Sequence, residues 1–317
     1  ASSTIAGAPP STDETRCEHD VRVLLTGSSG RVGRAIHARL TGVHEVVGVD
    51  CQPFATTRWV CDIIDTARLQ DAMGEAEAVV HTASLHAPRV GVRSDREFER
   101  VNLHALETLL ELALARGVVC FVYTSTTAVY GDAVVDSACR WIDEQVEPIP
   151  RTIYHRTNLA AEAMVAGATS STLRTRVLRM SRCFPEAADQ MAVYRLHRGV
   201  DVRDVADAHA LALADGRSGH QLAVVSGHTP FRRADASALA HSAAEVIGRR
   251  APSLARAFRL RAWALPSTID RIYDATHARR LWGWRSRYGY REVLNQLDRR
   301  SLEVLPPVAA ARDIRQQ

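Results

Sequence analysis

Short apolar runs alternate with longer amphipathic stretches from residue 21 to residue 225. Six of the apolar runs predict strands, at residues 21–25, 46–49, 78–81, 118–124, 176–179 and 221–225. Residues 98–115 repeat apolar side chains at helical spacing and predict a helix with one wide buried face, and a second helix is predicted over residues 153–165. This alternation is typical of an α/β fold with a doubly wound parallel sheet, whose ligands bind beyond the carboxyl ends of the strands.

The first predicted strand leads into a glycine-rich turn. Residues 21–33 read VRVLLTGSSGRVG, which places Gly27, Gly30 and Gly33 between a strand and the start of a helix. Glycines let the backbone approach a pyrophosphate, and the helix offers free N–H groups and the positive end of its dipole. Three glycines alone are a weak signal, but this context predicts a Rossmann-like dinucleotide-binding domain.

A carboxylate ends the second predicted strand. Asp50 follows the glycines by about 20 residues, which is the placement expected for a ligand of the adenosine ribose hydroxyls. A carboxylate there favours NAD, because it would repel the 2′-phosphate of NADP. Arg58 lies close enough in sequence to keep NADP open as the weaker alternative.

The domain organisation follows from these elements. We expect residues 1–20 to be a disordered leader, because they are small and polar, contain Pro9 and Pro10, and lack the apolar core of a secretory signal. Residues 21–180 are predicted to form the dinucleotide-binding domain. Residues 181–300 are predicted to form a small C-terminal substrate lobe interleaved with the last strands of the sheet, and residues 301–317 a tail.

The composition indicates which kinds of partner the protein is expected to bind. No stretch approaches the about 20 apolar residues that a membrane helix requires, so we expect no membrane span and a cytoplasmic location. The six cysteines, among them Cys17, show no metal-ligand spacing, so no metal is predicted. The net charge is +4 and every Lys/Arg cation is an arginine, but no aromatic residues interleave the arginine clusters. Solvated helix faces are therefore favoured over nucleic-acid binding.

Seven short segments follow one another in a familiar order. They are TGSSGRVG at 26–33, CDI at 61–63, HTAS at 81–84, FERVN at 98–102, TSTTAVYG at 124–131, VRDVADAH at 202–209 and LWGW at 281–284. Together they resemble the extended (atypical) short-chain dehydrogenase/reductase superfamily, in particular its NAD-dependent epimerase/dehydratase branch. The resemblance covers nearly all of residues 21–297. It implies an NAD(P)-dependent enzyme that acts on a small-molecule substrate.

The resemblance also assigns roles to residues. It implies cofactor contacts at Gly27, Ser29, Gly30, Arg31, Val32, Gly33, Asp50, Asp62, Ile63, Thr82, Ala83, Ser84, Asn102, Tyr154, Asn158 and Arg182. Tyr154 is implied as the catalytic acid/base, Ser125 or Thr126 as the group that binds the reacting oxygen, and Asn102 as support for the proton path. Candidate substrate contacts are His86, Thr127, Arg182 and Arg203.

One position departs from the family pattern. The tyrosine of this family is followed four residues later by a lysine that binds the nicotinamide ribose and lowers the tyrosine pKa, and here Asn158 stands in that place. An amide can hydrogen-bond a ribose hydroxyl, but it carries no charge, so Tyr154 is expected to be a weaker base. Arg151, Arg156, His86 and His155 remain alternatives for the missing charge or proton transfer.

The stretch before VRDVA bears on the substrate. Residues 181–201 are shorter than the segment with which nucleotide-sugar enzymes of this family wrap their nucleotide, which favours a smaller substrate. Arg182, Arg195, Arg198 and Arg203 in or beside this stretch either face an anionic group or lie on the surface.

Other features have structural interpretations. The aromatic residues near Trp282 and Trp284 are expected to pack in the core, and residues 251–264 to form a solvated basic helix. By analogy with the family, the helices at 99–115 and 153–165 pair across a two-fold axis in a homodimer.

Two functions are therefore predicted. The first is an NAD-dependent oxidoreductase, epimerase or dehydratase with Tyr154 as acid/base. The second is a protein that retains the fold but acts as a non-redox isomerase, lyase or cyclase, or as a binding protein, and the asparagine at position 158 is its main support.

Overall fold

The computed structural model describes residues 20–134 and 138–307. The expected leader (except Asp20), Cys17 and most of the expected tail lie outside these residues. Within them, strands and helices alternate as the hydrophobic pattern predicts. The strands are β1 Arg22–Thr26, β2 Glu45–Asp50, β3 Trp59–Val60, β4 Ala78–His81, β5 Cys120–Thr126, β6 Arg140–Ile142, β7 Arg174–Met180, β8 His220–Val225 and β9 Arg271–Tyr273.

The helices fall into two groups. Those around the main sheet are α1 Arg31–Leu40, α2 Thr66–Met73, α3 Asp95–Glu99, α4 Ala105–Ala115, α5 Ile153–Gly167, α7 Val202–Ala214 and α11 Thr276–Trp282. Those of the C-terminal region are α6 Ala188–Tyr194, α8 Ala236–His241, α9 Ala243–Arg250, α10 Pro252–Leu260 and α12 Tyr290–Asp298. Short 3₁₀ turns cover Ala87–Arg89, Thr127–Tyr130 and Arg233–Asp235.

The main sheet confirms the predicted α/β fold class. Its seven strands in the described residues run in the order β3-β2-β1-β4-β5-β7-β8, and each neighbouring pair is parallel. The order reverses beside β1, so the crevice between the ends of β1 and β4 is the position where doubly wound sheets bind ligands. Register places Thr26 beside His81 at that end.

Alternating side chains of the strands build two cores. Val23 and Leu25 of β1 pack with α1, α7 and α11 on one face, whereas Leu24 packs with α2, α4 and α5 on the other. A third core joins α6, α8, α9, α10 and α12 in the C-terminal region. β6 and β9 form a separate two-stranded parallel sheet. In the described part of the chain, no helix has the length and hydropathy to cross a membrane.

The helix predicted over residues 98–115 is interrupted. A π-helical turn, Arg100–His104, separates α3 from α4 and contains Asn102. The spacing of apolar residues in the sequence does not reveal such a turn. One π turn changes the angle between successive side chains only locally, so the helical pattern on either side of it is kept.

Candidate active site

One cavity of about 620 Å³ lies at the carboxyl ends of β1, β2, β4, β5 and β7. The structure brings most of the predicted site residues together on its wall. Those are Gly27, Gly30, Arg31, Val32, Gly33, Asp50, Asp62, Ile63, Thr82, Ala83, Ser84, His86, Ser125, Thr126, Thr127, Tyr154 and Arg182. Of the remaining predicted residues, Ser29, Asn102, Asn158 and Arg203 are not part of the wall.

The glycine turn is packed so closely that it requires glycine. A Cβ atom on Gly27, whose φ is +74°, would lie 2.4 Å from the Thr82 hydroxyl oxygen. A Cβ atom on Gly33 would lie 2.0 Å from the Gly27 carbonyl oxygen. Gly30 caps α1 without a side-chain hydrogen bond, so the first-turn N–H groups of this helix remain for an anion at the cavity wall. These residues fit the phosphates of a dinucleotide.

Asp50 is held beside that turn. Its carboxylate accepts hydrogen bonds from the Ser29 N–H at 3.0 Å and from the Gln52 N–H at 2.9 Å. Ser29 therefore orients Asp50 through its backbone, and its hydroxyl donates to the Gln52 carbonyl. Asp50 lines the cavity, whereas Arg58 does not. This arrangement fits ribose hydroxyls, and no arginine of residues 20–134 and 138–307 forms an ion pair with Asp50.

A loop that the sequence analysis did not identify supports the turn. Thr56 donates from its hydroxyl to the Ser28 carbonyl at 2.7 Å, and Thr57 shares hydrogen bonds with the hydroxyls of Ser28 and Ser29. Gly48 makes this approach possible, since a Cβ atom there would lie 1.9 Å from the Thr56 carbonyl oxygen. A glycine within the apolar run was the signal for this close contact.

Asn102 contacts the protein backbone. Its amide accepts from the Leu85 N–H at 2.7 Å and donates to the Leu85 carbonyl at 3.1 Å and to the Thr157 hydroxyl at 3.3 Å. The π-helical turn aims this side chain at the loop after β4. In the structure, Asn102 therefore ties that loop to α5 from behind the cavity wall.

Tyr154 lies in the first turn of α5, after the Thr152 N-cap, and is 8% exposed. Burial raises the pKa of its phenol, and a hydrogen bond with the Thr126 side chain offsets part of that rise. The His86 ring stands edge-on to the Tyr154 ring, with 6.5 Å between centroids. Within the described residues, no arginine hydrogen-bonds the Tyr154 hydroxyl. The phenol is therefore held in its protonated form at neutral pH.

Asn158 is fully engaged inside the protein. Its Nδ2 donates to the Tyr154 main-chain carbonyl at 2.8 Å, and its Oδ1 accepts from the Tyr123 hydroxyl at 3.1 Å. The side chain is 2% exposed. Asn158 thus lies on α5 one turn after Tyr154 and does not reach the cavity wall.

Ser125 belongs to a buried polar network. Its hydroxyl donates to the Glu162 carboxylate, which forms a bidentate pair with Arg179, with contacts of 2.6–3.1 Å. Arg179 also donates to the Tyr130 hydroxyl at 3.0 Å. Because the Ser125 proton is donated to Glu162, the Ser125 oxygen retains acceptor capacity, and Ser125 lines the cavity. The Thr126 oxygen accepts from the Ala128 N–H at 3.1 Å, so the Thr126 proton is the part of this hydroxyl that is directed to Tyr154.

The VRDVADAH segment has structural partners. His209 sets its Nδ1 against the Val205 carbonyl at 2.8 Å, so its Nε2 accepts from the Thr124 hydroxyl at 2.7 Å. Burial lowers the pKa of His209 to about 4, which keeps this acceptor neutral. Asp204 accepts from the N–H groups of Arg287 and Tyr288. The segment thus contacts β5 through His209 and the loop before α12 through Asp204.

Trp284 donates from its indole to the Asp204 carbonyl at 2.9 Å and is 2% exposed. Trp282 donates to the Gln221 side chain and packs in the same core. These contacts confirm the core-packing interpretation of the tryptophans. Arg203 pairs with Asp201 and Glu292 and stacks on Tyr288, so it is not placed to contact a substrate in the cavity.

The sequence pattern of the NAD dependent epimerase/dehydratase family matches residues 23–193. A 3 beta-hydroxysteroid dehydrogenase/Delta 5→4-isomerase of vaccinia virus (strain Ankara) is 25% identical over 210 residues, which are 58% of this chain and 59% of that relative. The chain therefore spans less than two thirds of the length of that relative.

Solved structures share the fold. A short-chain dehydrogenase/reductase superfamily protein from Agrobacterium tumefaciens with bound NAD is 20% identical and superposes with a TM-score of 0.65, over 88% of this chain and 97% of that one. A UDP-glucose-4-epimerase from Stenotrophomonas maltophila, with bound NAD and formylated UDP-arabinopyranose, is 22% identical with a TM-score of 0.65, over 87% and 96% of the two chains.

Proposed function

The chain belongs to the NAD-dependent epimerase/dehydratase family, and we propose that it is an NAD-dependent oxidoreductase or epimerase/dehydratase acting on a small hydroxy or keto compound. One observation carries the proposal: Tyr154, Ser125 and Thr126 line the same cavity as the glycine turn and Asp50. A bound NAD would supply a hydride acceptor, and its reduced form a hydride donor, at the nicotinamide. Asp50 accepts from backbone N–H groups and pairs with no arginine in the described part of the chain, which supports NAD over NADP.

The direction of each hydrogen bond determines which role a side chain of the cavity wall can take. The Ser125 oxygen accepts from a substrate hydroxyl, and the Thr126 hydroxyl, which contacts Tyr154, positions the phenol. Tyr154 transfers the proton. Because burial raises the pKa of Tyr154, the protonated phenol predominates at neutral pH. This state suits proton donation to a carbonyl, so reduction is the direction that the site supports best near pH 7.

The segment after β7 supports a small substrate. Arg182 pairs with this segment's far end, because its N–H donates to the Arg198 carbonyl at 3.1 Å and its carbonyl accepts from the Val200 N–H at 2.9 Å. Residues 182–200 thus close on themselves. A segment that is closed in this way supports a compact substrate over a nucleotide sugar.

The non-redox alternative rests on Asn158. No charge at that position lowers the pKa of Tyr154, and Asn158 is committed to Tyr123 and the helix backbone. A phenol that stays protonated can serve as an acid in an isomerase, lyase or cyclase without hydride transfer.

Cofactor titration tests whether the protein binds NAD. Calorimetry with NAD, NADH, NADP and NADPH is expected to give micromolar affinity for NAD(H) and weaker binding of NADP(H). Absence of binding for all four dinucleotides would make the non-redox function the better one.

Turnover measurements test whether the protein transfers hydride and whether Tyr154 is the acid/base. Incubation with NADH and a panel of small ketones and aldehydes is expected to lower the NADH absorbance, and Tyr154→Phe to slow this by at least about 100-fold while NAD affinity is kept. Undiminished turnover in Tyr154→Phe would exclude Tyr154 as the acid/base. Product without an absorbance change favours the non-redox function, once internal recycling of the cofactor has been tested with isotopically labelled substrate.

The predicted homodimer is part of this proposal. The helices α4 and α5, which we expect to pair across a two-fold axis, support the sheet beneath the site. Sedimentation equilibrium is expected to give twice the chain mass of 34.8 kDa, and a monomer at micromolar concentration would contradict the dimer.

A further inference from the structure

The described cavity wall carries more arginines than carboxylates. Its cations are Arg31, Arg93, Arg100, Arg182 and Arg198, and its acidic side chains are Asp50, Asp62 and Glu97. Glu97 pairs with Arg93 at 3.0 Å. The wall therefore favours a negatively charged ligand.

Two of these arginines lie on paired chain segments and contact the same ring. The backbone pairing of Arg182 with residues 198–200 brings the two chain segments together. Their guanidinium groups both stack on the ring of Tyr194, at 5.3 Å for Arg182 and 5.2 Å for Arg198. The Tyr194 hydroxyl is fixed by the Gln190 amide at 2.9 Å. Stacking positions a guanidinium while it leaves the N–H groups at its edge available.

The nearby carboxylates do not neutralise both cations. Glu186 pairs with Arg182, and Asp270 lies 3.9 Å from Arg198 but only 2.8 Å from Arg271. Neither carboxylate lines the cavity. The Nε of Arg198 is buried and has no hydrogen-bond partner in the described structure. The 3.9 Å contact with Asp270 is its one ion pair there, so the charge of Arg198 is only weakly compensated.

We propose that Arg198, with Arg182 beside it, forms an anion subsite that binds the carboxylate of the substrate, so that the substrate class is small hydroxy or keto acids. This inference rests on the proposed function, because it places the carboxylate in the cavity that also contains Tyr154. A guanidinium edge matches the two oxygens of a carboxylate. A phosphate group presents the same oxyanion chemistry, and the experiment separates the two.

Matched ligands test the subsite. D-Glucuronate, D-glucose 6-phosphate and D-glucose share a ring and differ at one carbon, and lactate and propane-1,2-diol form a second carboxylate–alcohol pair. Their affinities are measured by calorimetry with and without saturating NAD. We expect each carboxylate to bind at least about tenfold more tightly than its neutral counterpart, as for hydrogen bonds to a charged group.

Three variants assign the preference. Arg198→Met keeps an unbranched side chain and is expected to abolish the carboxylate preference while affinity for NAD is unchanged. Arg198→Lys keeps the charge but lacks the planar guanidinium group, and it is expected to retain part of the carboxylate preference. Arg259→Met removes an exposed arginine of α10 and controls for net charge, so it is expected to leave the preference intact.

Each outcome has one interpretation. Equal binding of charged and neutral ligands, no binding of any anion, or loss of the preference in Arg259→Met would overturn the subsite. A preference for the phosphate over the carboxylate would overturn the hydroxy-acid class. Failure of NAD to bind, with the carboxylate preference retained in the NAD-free titration, would contradict the proposed function and not the subsite.

Discussion

The side-chain amide of Asn158 donates a 2.8 Å hydrogen bond to the main-chain carbonyl of Tyr154, one helical turn earlier on α5. Asn158, at the position where the resemblance implies a lysine, thus stabilises the helix that carries the phenol. Asn158 adds no charge near the phenol. Burial raises the pKa of Tyr154, and a hydrogen bond with Thr126 offsets part of that rise. The chemistry of the site therefore depends on whether position 158 bears a charge.

Substitution Asn158→Lys is expected to lower the pKa of Tyr154 by about one unit or more, because an ammonium group near the phenol favours its ionised form. The measurement is titration of tyrosinate absorbance, taken as the difference between each protein and the same protein with Tyr154→Phe. The pH at which base-catalysed oxidation becomes fast should fall by the same amount.

Asn158→Met is the control for that variant. Both changes remove the acceptor of the buried Tyr123 hydroxyl, so both should lower the free energy of unfolding by about 1–3 kcal/mol. Only the lysine should move the Tyr154 titration. Identical titration curves in the two variants would show that a cation at position 158 does not reach the phenol.

The buried pair of Glu162 and Arg179 is expected to be critical for stability. Their side chains are 5% and 6% exposed, so Glu162→Gln leaves an arginine charge buried with an uncharged partner and should lower the free energy of unfolding by about 3 kcal/mol. Urea denaturation measures this. Asp298→Asn breaks the exposed pair with Arg261 and should change the free energy of unfolding by less than about 1 kcal/mol. Similar losses in the two variants would contradict the argument from burial.

The sequence predicted the main sheet well because its strands are apolar runs bounded by turn residues. Residues 78–81 match β4 in full, whereas β5 begins and ends two residues later than predicted. β3, β6 and β9 were not predicted. They contain two or three residues each, and partners distant in sequence, such as Arg140 and Arg271, decide whether so short a segment pairs.

The site was predicted where backbone chemistry requires a residue type, and less well where side-chain direction matters. Gly27, Gly33 and Asp50 line the cavity as expected. Asn102 and Asn158 face inward, because a π turn and a buried tyrosine hydroxyl determine their orientation. The network from Ser125 to Arg179 joins strands and a helix that are apart in sequence, so no local pattern could reveal it.

Two glycines near the ends of α1 provide a matched pair of substitutions. In Gly33→Ala the new Cβ would meet the Gly27 carbonyl at 2.0 Å, so the turn must move, and stability should fall by about 1–3 kcal/mol. NAD affinity should fall with it, because the same turn is proposed to bind the pyrophosphate. In Gly42→Ala the Cβ would have no neighbour within 4 Å, and both quantities should be nearly unchanged. NAD affinity retained in Gly33→Ala would place the pyrophosphate elsewhere.

Three buried histidines predict destabilisation in mild acid. Burial lowers the pKa of His81 to about 4, of His197 to about 3 and of His209 to about 4, from an ordinary value of 6.5. Between pH 6.5 and 4 the unfolded chain therefore binds protons that the folded chain does not, and the free energy of unfolding falls as the pH falls. Each histidine contributes a slope of up to about 1.4 kcal/mol per pH unit in that window.

His209→Gln removes one of these groups and should make the fall between pH 6.5 and 4 less steep, by about 1 kcal/mol per pH unit. Urea denaturation at several pH values in that window gives the slope, and stability at pH 7.5 is compared separately because the variant also changes the hydrogen bond to Thr124. His241 is exposed at the end of α8, so His241→Gln should leave the slope unchanged. If His209→Gln keeps the full slope, His209 is protonated in the folded state, and its Nε2 must then donate to Thr124 in place of accepting.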